Sequence, residues 1–222
     1  MTKLKKNLLA AGVLLAALAV AFGSFMLFSP KDTSSVSVSA EPAADAKPVR
    51  DDSHRLTSPA RSELTVVEFL DFECEGCGAA HPIVEKLRAE YKDRVTFVAR
   101  YFPMPGHRNS TTAALAVEAA AQQGKFEPMY SKLFGTQKEW GEAQDSKAGL
   151  FRTFAEGLGL DMTKYDAVVK APATLERVKA DQKDGLGLGV QGTPTFFVDG
   201  VKIQTPRSYE EFKALIDSRL AR

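Results

Sequence analysis

Cys74 and Cys77 are the only two cysteines in the 222-residue chain, and two residues separate them. They lie where a run of strand-forming residues gives way to a helical pattern. At a helix N-terminus the unpaired N–H groups and the helix dipole favour a thiolate over a thiol. A second sulfur three positions on can reach back and resolve a mixed disulfide formed on the first. Thiol–disulfide exchange needs both a thiolate that attacks a disulfide sulfur and a partner that departs as thiolate. Cys74, nearer the helix end, is the expected nucleophile and exposed sulfur, with Cys77 as the buried resolving partner. Two other uses compete. Tetrahedral zinc takes four ligands, whereas only His81 lies close by in sequence, and no metal is expected. A purely structural bridge over so short a loop removes little chain entropy. With only two cysteines, a multi-bridge disulfide scaffold is excluded.

The elements that must hold this pair follow from periodicity. Residues 66–72 (VVEFLDF) are nearly continuous strand-forming residues, suited to a strand covered on both faces. Residues 79–91 have helical spacing and residues 94–102 (RVTFVARYF) read as a second strand. Such a β–α–β unit implies parallel pairing through a right-handed crossover. A long helical stretch follows over 111–123, 126–134, 146–158, 161–169 and 172–186, with Asp161 as a cap and Pro172 in a first turn. Residues 195–203 form a hairpin pattern around Asp199-Gly200, and 208–220 a closing amphipathic helix. The fold class is α/β, with helices inserted between βαβ and ββα halves over about residues 108–189.

Composition sets the surroundings. The 29 basic and 28 acidic residues nearly cancel, and Lys3, Lys5 and Lys6 gather at the N-terminus, which argues against a nucleic-acid partner. Residues 8–28 form 21 uncharged positions, about 31 Å as a helix and enough to cross a bilayer core. The expectation for residues 1–28 is a cytoplasmic stub and membrane anchor, with a cleaved signal peptide as the alternative. The lysines place the N-terminus in the cytoplasm and the rest of the chain on the extracytoplasmic side of the cell membrane. Residues 29–61 are rich in Ser, Ala, Pro and Asp and are expected to be a flexible linker, with His54 solvated inside it. Residues 62–222 form the folded domain.

VVEFLDFECEGC, YFPMPGH, QQGKFEPMYSKLF and GVQGTPTFFVDG together resemble the DsbA-like branch of the thioredoxin superfamily, over about residues 60–220. The resemblance implies a thioredoxin-like fold and a cis peptide bond before Pro194, with Thr193-Pro194 beside the cysteines to pair with an extended substrate. It also implies that Glu68 is a buried acid relaying the proton of the resolving thiol. Pro82 matches a helix kink of the family. His107 matches a loop residue, His81 reads as a surface or packing residue, and Trp140 as a core or groove aromatic. The chain departs from the family's strong oxidants at Glu75-Gly76, where those carry Pro-His. Glu75, with Asp71 and Glu73 near it in sequence, is expected to disfavour ionisation of Cys74 and give a less oxidising couple.

The resemblance thus implies an extracytoplasmic thiol–disulfide oxidoreductase with no cofactor, introducing disulfides into exported cysteine-containing polypeptides. A quinone-linked membrane oxidase would reoxidise it. The alternatives are a reductase or isomerase kept reduced by a membrane electron donor, or a peptide-binding module without turnover.

Overall fold

The computed structural model describes residues 45–222. The expected anchor or signal peptide at 1–28 and the first part of the linker lie outside the described residues. Among the described residues no helix is long and apolar enough to cross a membrane.

Five strands of the described residues form one sheet: His54–Arg55 (β1), Leu64–Leu70 (β2), Val95–Tyr101 (β3), Thr195–Val198 (β4) and Val201–Lys202 (β5), in the order β1-β3-β2-β4-β5. β2 and β3 are parallel in full register, from Leu64 opposite Val95 to Leu70 opposite Tyr101. Helix α1 (Glu75–Tyr91) makes the crossover between them. β4 runs antiparallel along the other side of β2, with Val66 opposite Val198. It turns into β5 through Asp199 and Gly200, whose φ angles of 47° and 78° are those a two-residue hairpin turn requires. β2 is therefore central, and its C-terminal end points at the cysteines.

Between the halves lie Ser110–Ala121 (α2), Phe126–Gly135 (α3), Gln137–Trp140 (α4), Ala148–Gly157 (α5), Met162–Val168 (α6) and Pro172–Gly187 (α7). Tyr209–Leu220 (α8) closes the described chain. The expected start signals operate, since the Asp161 side chain accepts from Lys164 N–H and Pro172 opens α7; the Ser208 side chain also caps α8, accepting from Glu211 N–H.

Strand alternation divides the core. Val66 and Leu70 of β2 pack with Val84 and Leu87 of α1, Val117 of α2, Leu133 of α3 and Phe212 of α8. Val67 and Phe69 face the other way, with Val98, Phe102, Val190 and Phe197. α7 comes very close to this second face, since a Cβ on Gly185 would lie 2.6 Å from the Phe102 ring. Burying each such aliphatic or aromatic side chain contributes roughly 1.5–3 kcal/mol.

The linker expected to extend to residue 61 ends earlier. His54 and Arg55 pair with Ala99 and Val98 at the edge of the sheet. The His54 ring stacks on Phe126 with centroids 4.0 Å apart, and its Nε2 lies 2.7 Å from a Glu118 carboxylate oxygen. His54 is packed and paired, not solvated. Arg100, fully buried in β3, reaches Asp181 and Asp184 of α7 at 2.7 Å each and donates to the carbonyls of Lys47 and Pro48. Arg50 also pairs with Asp184, and Arg177 donates to the Asp52 carbonyl. These long-range charge contacts, which composition does not reveal, hold residues 47–55 against the domain.

Removing one member of a buried charge cluster leaves the others uncompensated. Arg100→Leu should therefore lower unfolding free energy by about 3 kcal/mol, toward the low end for buried pairs because Arg50 and Arg177 still reach the aspartates. Urea denaturation would measure it, and a change below about 1 kcal/mol would contradict the assigned role.

Candidate active site

Cys74 is the N-cap of α1, with extended backbone at φ −67° and ψ 120°. Its own carbonyl accepts the first helical hydrogen bond, from Gly78 N–H at 3.0 Å. Cys77, one turn in, is fully buried, and the Asp71 N–H reaches its Sγ at 3.5 Å. Both sulfurs are free thiols and Cys74 is half-buried. The Thr193–Pro194 peptide bond is cis. Across more than a hundred residues of sequence, the Cys74 thiol donates to the Thr193 carbonyl at 3.2 Å. Gly76 faces the same loop, where a Cβ would sit 3.2 Å from Pro194 Cδ and 3.6 Å from Cys74 Sγ. The Thr193 hydroxyl is buried beside it and has no hydrogen-bond partner. A polar groove of about 340 Å³ runs beside this loop, lined by Gln191, Thr193, Pro194, Ile203 and Thr205 among others.

The two sulfurs have opposite electrostatics. Cys74 is pulled down from 9.0 to about 5, chiefly by a hydrogen bond from Cys77. Partial burial opposes the shift, while the Thr193 side chain and the N–H groups of Cys77 and Gly76 assist it. Burial pushes Cys77 well above its ordinary value, and the hydrogen bond to Cys74 and the charge of Glu68 push it further. At neutral pH the reduced pair thus holds one thiolate and one thiol, the asymmetry that exchange requires. Glu68 occupies the middle of β2, opposite Ala99 and Phe196, and is 4% exposed. Burial raises its carboxyl to about 8, with a further push from Cys74 and Glu85, and its Oε1 has no hydrogen-bond partner. The acid expected beneath the cysteines is therefore present, and it is neutral at pH 7.

Glu75 is the residue expected to disfavour ionisation of Cys74. Its side chain is exposed, and it is absent from the leading influences on Cys74. Solvent screens its charge, while hydrogen-bond donors aimed at the sulfur act at contact distance. Asp71 and Glu73 do not simply oppose the thiolate either, because both are buried and bonded elsewhere. Asp71 accepts from Glu73 N–H at 2.8 Å and Met104 N–H at 2.9 Å, and pairs with His107 Nδ1 at 2.6 Å. Glu73 accepts from Asn109 N–H at 2.6 Å.

Sequence reasoning missed Gln137. Its side chain covers Gly78, and its Nε2 donates at 2.8 Å to the carbonyls of both Phe72 and Cys74. A short helix of the insertion thereby clamps the cysteine loop, and no local pattern marks it. Of the alternatives open for them, His81 takes the packing role and Trp140 the core one. The His81 ring stacks on Phe134, and the fully buried Trp140 packs edge-on to Phe151. Pro82 lies inside α1. Among the described residues no group of three or more His, Cys, Asp or Glu side chains converges as a metal site.

Known proteins bear directly on this geometry. The family model described as Thioredoxin matches residues 59–218. The chain belongs to the thioredoxin family. Its fold is similar to that of a thioredoxin-like oxidoreductase from Silicibacter pomeroyi DSS-3, with 26% identity and a TM-score of 0.67 over 81% of this chain and 99% of that one. It is similar in fold also to α-DsbA1 of Wolbachia pipientis, with 18% identity and a TM-score of 0.69 over 78% and 93%. The thioredoxin-family architecture with a helical insertion is thus the fold this chain shares with α-DsbA1. The chain is also 35% identical over 157 residues to the Na(+)/H(+) antiporter NhaA of Herminiimonas arsenicoxydans. That match takes in 71% of this chain but 24% of the antiporter, so the chain spans about a quarter of that curated relative. The transport activity in the name belongs to the longer protein.

Two measurements follow from the electrostatics. Alkylation of the reduced protein by iodoacetamide should label Cys74 alone, with a rate that rises through about pH 5 and levels off above it. Thr193→Val removes a donor to the thiolate and should raise that midpoint by about one unit. Glu68 links to stability in the opposite sense from a salt-bridged acid. Below 4.5 it is protonated both folded and unfolded, and between 4.5 and about 8 only the unfolded chain ionises it, so stability falls as pH rises. Glu68→Gln should flatten that slope and gain about 3 kcal/mol at pH 7 relative to its difference from wild type at pH 4. Urea titrations at the two pH values would test this, and parallel curves would exclude a neutral Glu68.

Proposed function

We propose that the protein is an extracytoplasmic thiol–disulfide oxidoreductase that introduces disulfides into exported proteins. The observation that carries this reading is the stabilised thiolate of Cys74 beside a buried, protonated Cys77. A low thiol pKa stabilises the reduced form of the pair and so makes its disulfide a better oxidant. A thiol near 5 lies between those of thioredoxin, about 7, and DsbA, about 3.5. The expected reduction potential therefore falls between about −270 and −120 mV.

In the oxidised enzyme a client thiolate attacks Cys74 Sγ, forming a mixed disulfide and breaking the Cys74–Cys77 bond. Cys77 leaves as thiolate and takes a proton, for which the buried, neutral Glu68 is the donor. A second client thiolate then attacks the client sulfur, and Cys74 leaves as thiolate. The client loses two electrons and gains a disulfide, and the enzyme is left as thiolate and thiol. The Thr193–Pro194 loop and its groove suit an extended client segment, which would pair with that backbone in the manner of an added strand. A membrane partner, quinone-linked on this reading, removes the two electrons again. The uncharged run at residues 8–28 supports attachment to the membrane with the domain outside.

Acid quenching of growing cells followed by thiol trapping tests the direction. The proposal expects Cys74 and Cys77 predominantly oxidised, and a predominantly reduced pair would instead make the protein a reductase or isomerase. Cys77→Ser should accumulate mixed disulfides with clients, and Cys74→Ser should abolish client oxidation. If Cys74→Ser left client folding unchanged, a binding module without turnover would be the correct reading. Glu68→Gln should slow dithiothreitol reduction of the enzyme disulfide about a hundredfold or more near pH 7, within the range of a lost general acid.

A further inference from the structure

His107 is left unused by the chemistry above, yet it is held at the site. It follows β3 in the loop that starts at Phe102, and its ring nitrogen Nδ1 lies 2.6 Å from Asp71 Oδ2. Asp71 has a fully buried side chain, and His107 keeps 30% of its side chain exposed. The same aspartate directs its backbone N–H at Cys77 Sγ and accepts the N–H of Glu73, the residue before Cys74. A buried carboxylate so placed works against a neighbouring thiolate unless a cation cancels it. No basic residue occurs between the two cysteines, where Glu75 and Gly76 stand. The groups that act on the His107 ring are Asp71, Cys74 and Glu73: burial opposes its protonation, while all three negative groups favour it.

We propose that His107, oriented by Asp71, is a positioning residue for disulfide exchange: its imidazolium cancels the buried Asp71 charge and so favours the thiolate form of Cys74. The histidine thus comes from a loop distant in sequence. The effect is secondary to the donors that touch the sulfur, Cys77, Thr193 and the helix N–H groups, so it tunes the redox equilibrium without creating it. Coupling is reciprocal: if protonated His107 favours the thiolate, then reduction to the thiolate must tighten the proton on His107.

This inference rests on the exchange activity proposed above, and the experiment separates the two. The equilibrium of the full chain with reduced and oxidised glutathione would be measured for wild type, His107→Gln and His107→Lys. Gln keeps a hydrogen bond to Asp71 without charge, whereas Lys keeps the charge. The inference expects Gln to make the disulfide about 3- to 10-fold less oxidising, tenfold being about 30 mV for a two-electron couple. Lys should stay within about twofold of wild type, by the same relation of charge to thiolate stability. A Gln variant indistinguishable from wild type, or a Lys variant that falls with Gln, would overturn it. No glutathione equilibrium in wild type would overturn the exchange reading itself. Should the variants fold poorly, wild-type protein decides through NMR titration of the His107 ring. Its midpoint should be higher in the reduced than in the oxidised protein, and equal midpoints would refute the coupling.

Discussion

A negative sulfur at position 74 depends on N–H and S–H groups already in place to meet it. The N–H groups of Gly76 and Cys77 belong to the first turn of α1 and have no carbonyl one turn before them to bond. The Cys77 thiol and the Thr193 hydroxyl complete the set. Donors that the fold holds near the sulfur reduce the reorganisation needed when it gains its charge. The remaining features of the site act by keeping those donors aimed. Gln137 ties the carbonyls of Phe72 and Cys74 to the insertion, and the parallel register of β2 and β3 brings Phe102 N–H to the Leu70 carbonyl. Asp71 gathers the backbone of Glu73 and Met104 around one carboxylate. The cysteine loop is fixed from three sides.

That arrangement shows what decides how strongly a charge near in sequence acts on the thiolate. Glu75 is the immediate neighbour of Cys74, but it is exposed and water screens it. Asp71 lies three residues away and is buried, yet its charge is shared with an imidazole brought from 36 positions along the chain. Intervening residues count for little beside solvent exposure and the partner each carboxylate finds. Glu68 shows the reverse case. An acid in a run of apolar strand residues has few ways to avoid burial when the strand is central, and its position in β2 between β3 and β4 makes it so.

Much of the architecture was legible because its signals are local. The apolar runs of β2 and β3, the Asp199-Gly200 turn and the Asp161 and Ser208 caps each depend on residues within a few positions of one another. The cysteine pair and Thr193–Pro194 were readable as short motifs whose residues lie within a few positions of one another. What was not legible depends on side chains meeting across the chain. β1 is two residues long and has no period to detect; its hold comes from Phe126, Glu118 and Tyr101 on distant elements. Gln137 is likewise an ordinary polar residue until α4 is laid across Gly78. Low apolar content suggested a loose segment at 47–55, but five charged side chains supply the attachment that burial of apolar surface would otherwise give.

The two faces of the sheet then divide the work. On one, a neutral carboxyl, a buried thiol and a thiolate lie within electrostatic reach of one another, each shifted by at least one of the others. An unpaired Glu68 Oε1 in such a place is costly to stability, a cost in keeping with the proton-donor role proposed for it. On the other face, the ion pairs of Arg100 with Asp181 and Asp184 are saturated and hold α7 and the 47–52 segment in place. The polar groups buried there are matched in charge, whereas those beneath Cys77 are left incompletely matched. Unmatched groups remain free to change protonation, and that confines the titrating chemistry to the side of β2 that carries the cysteines.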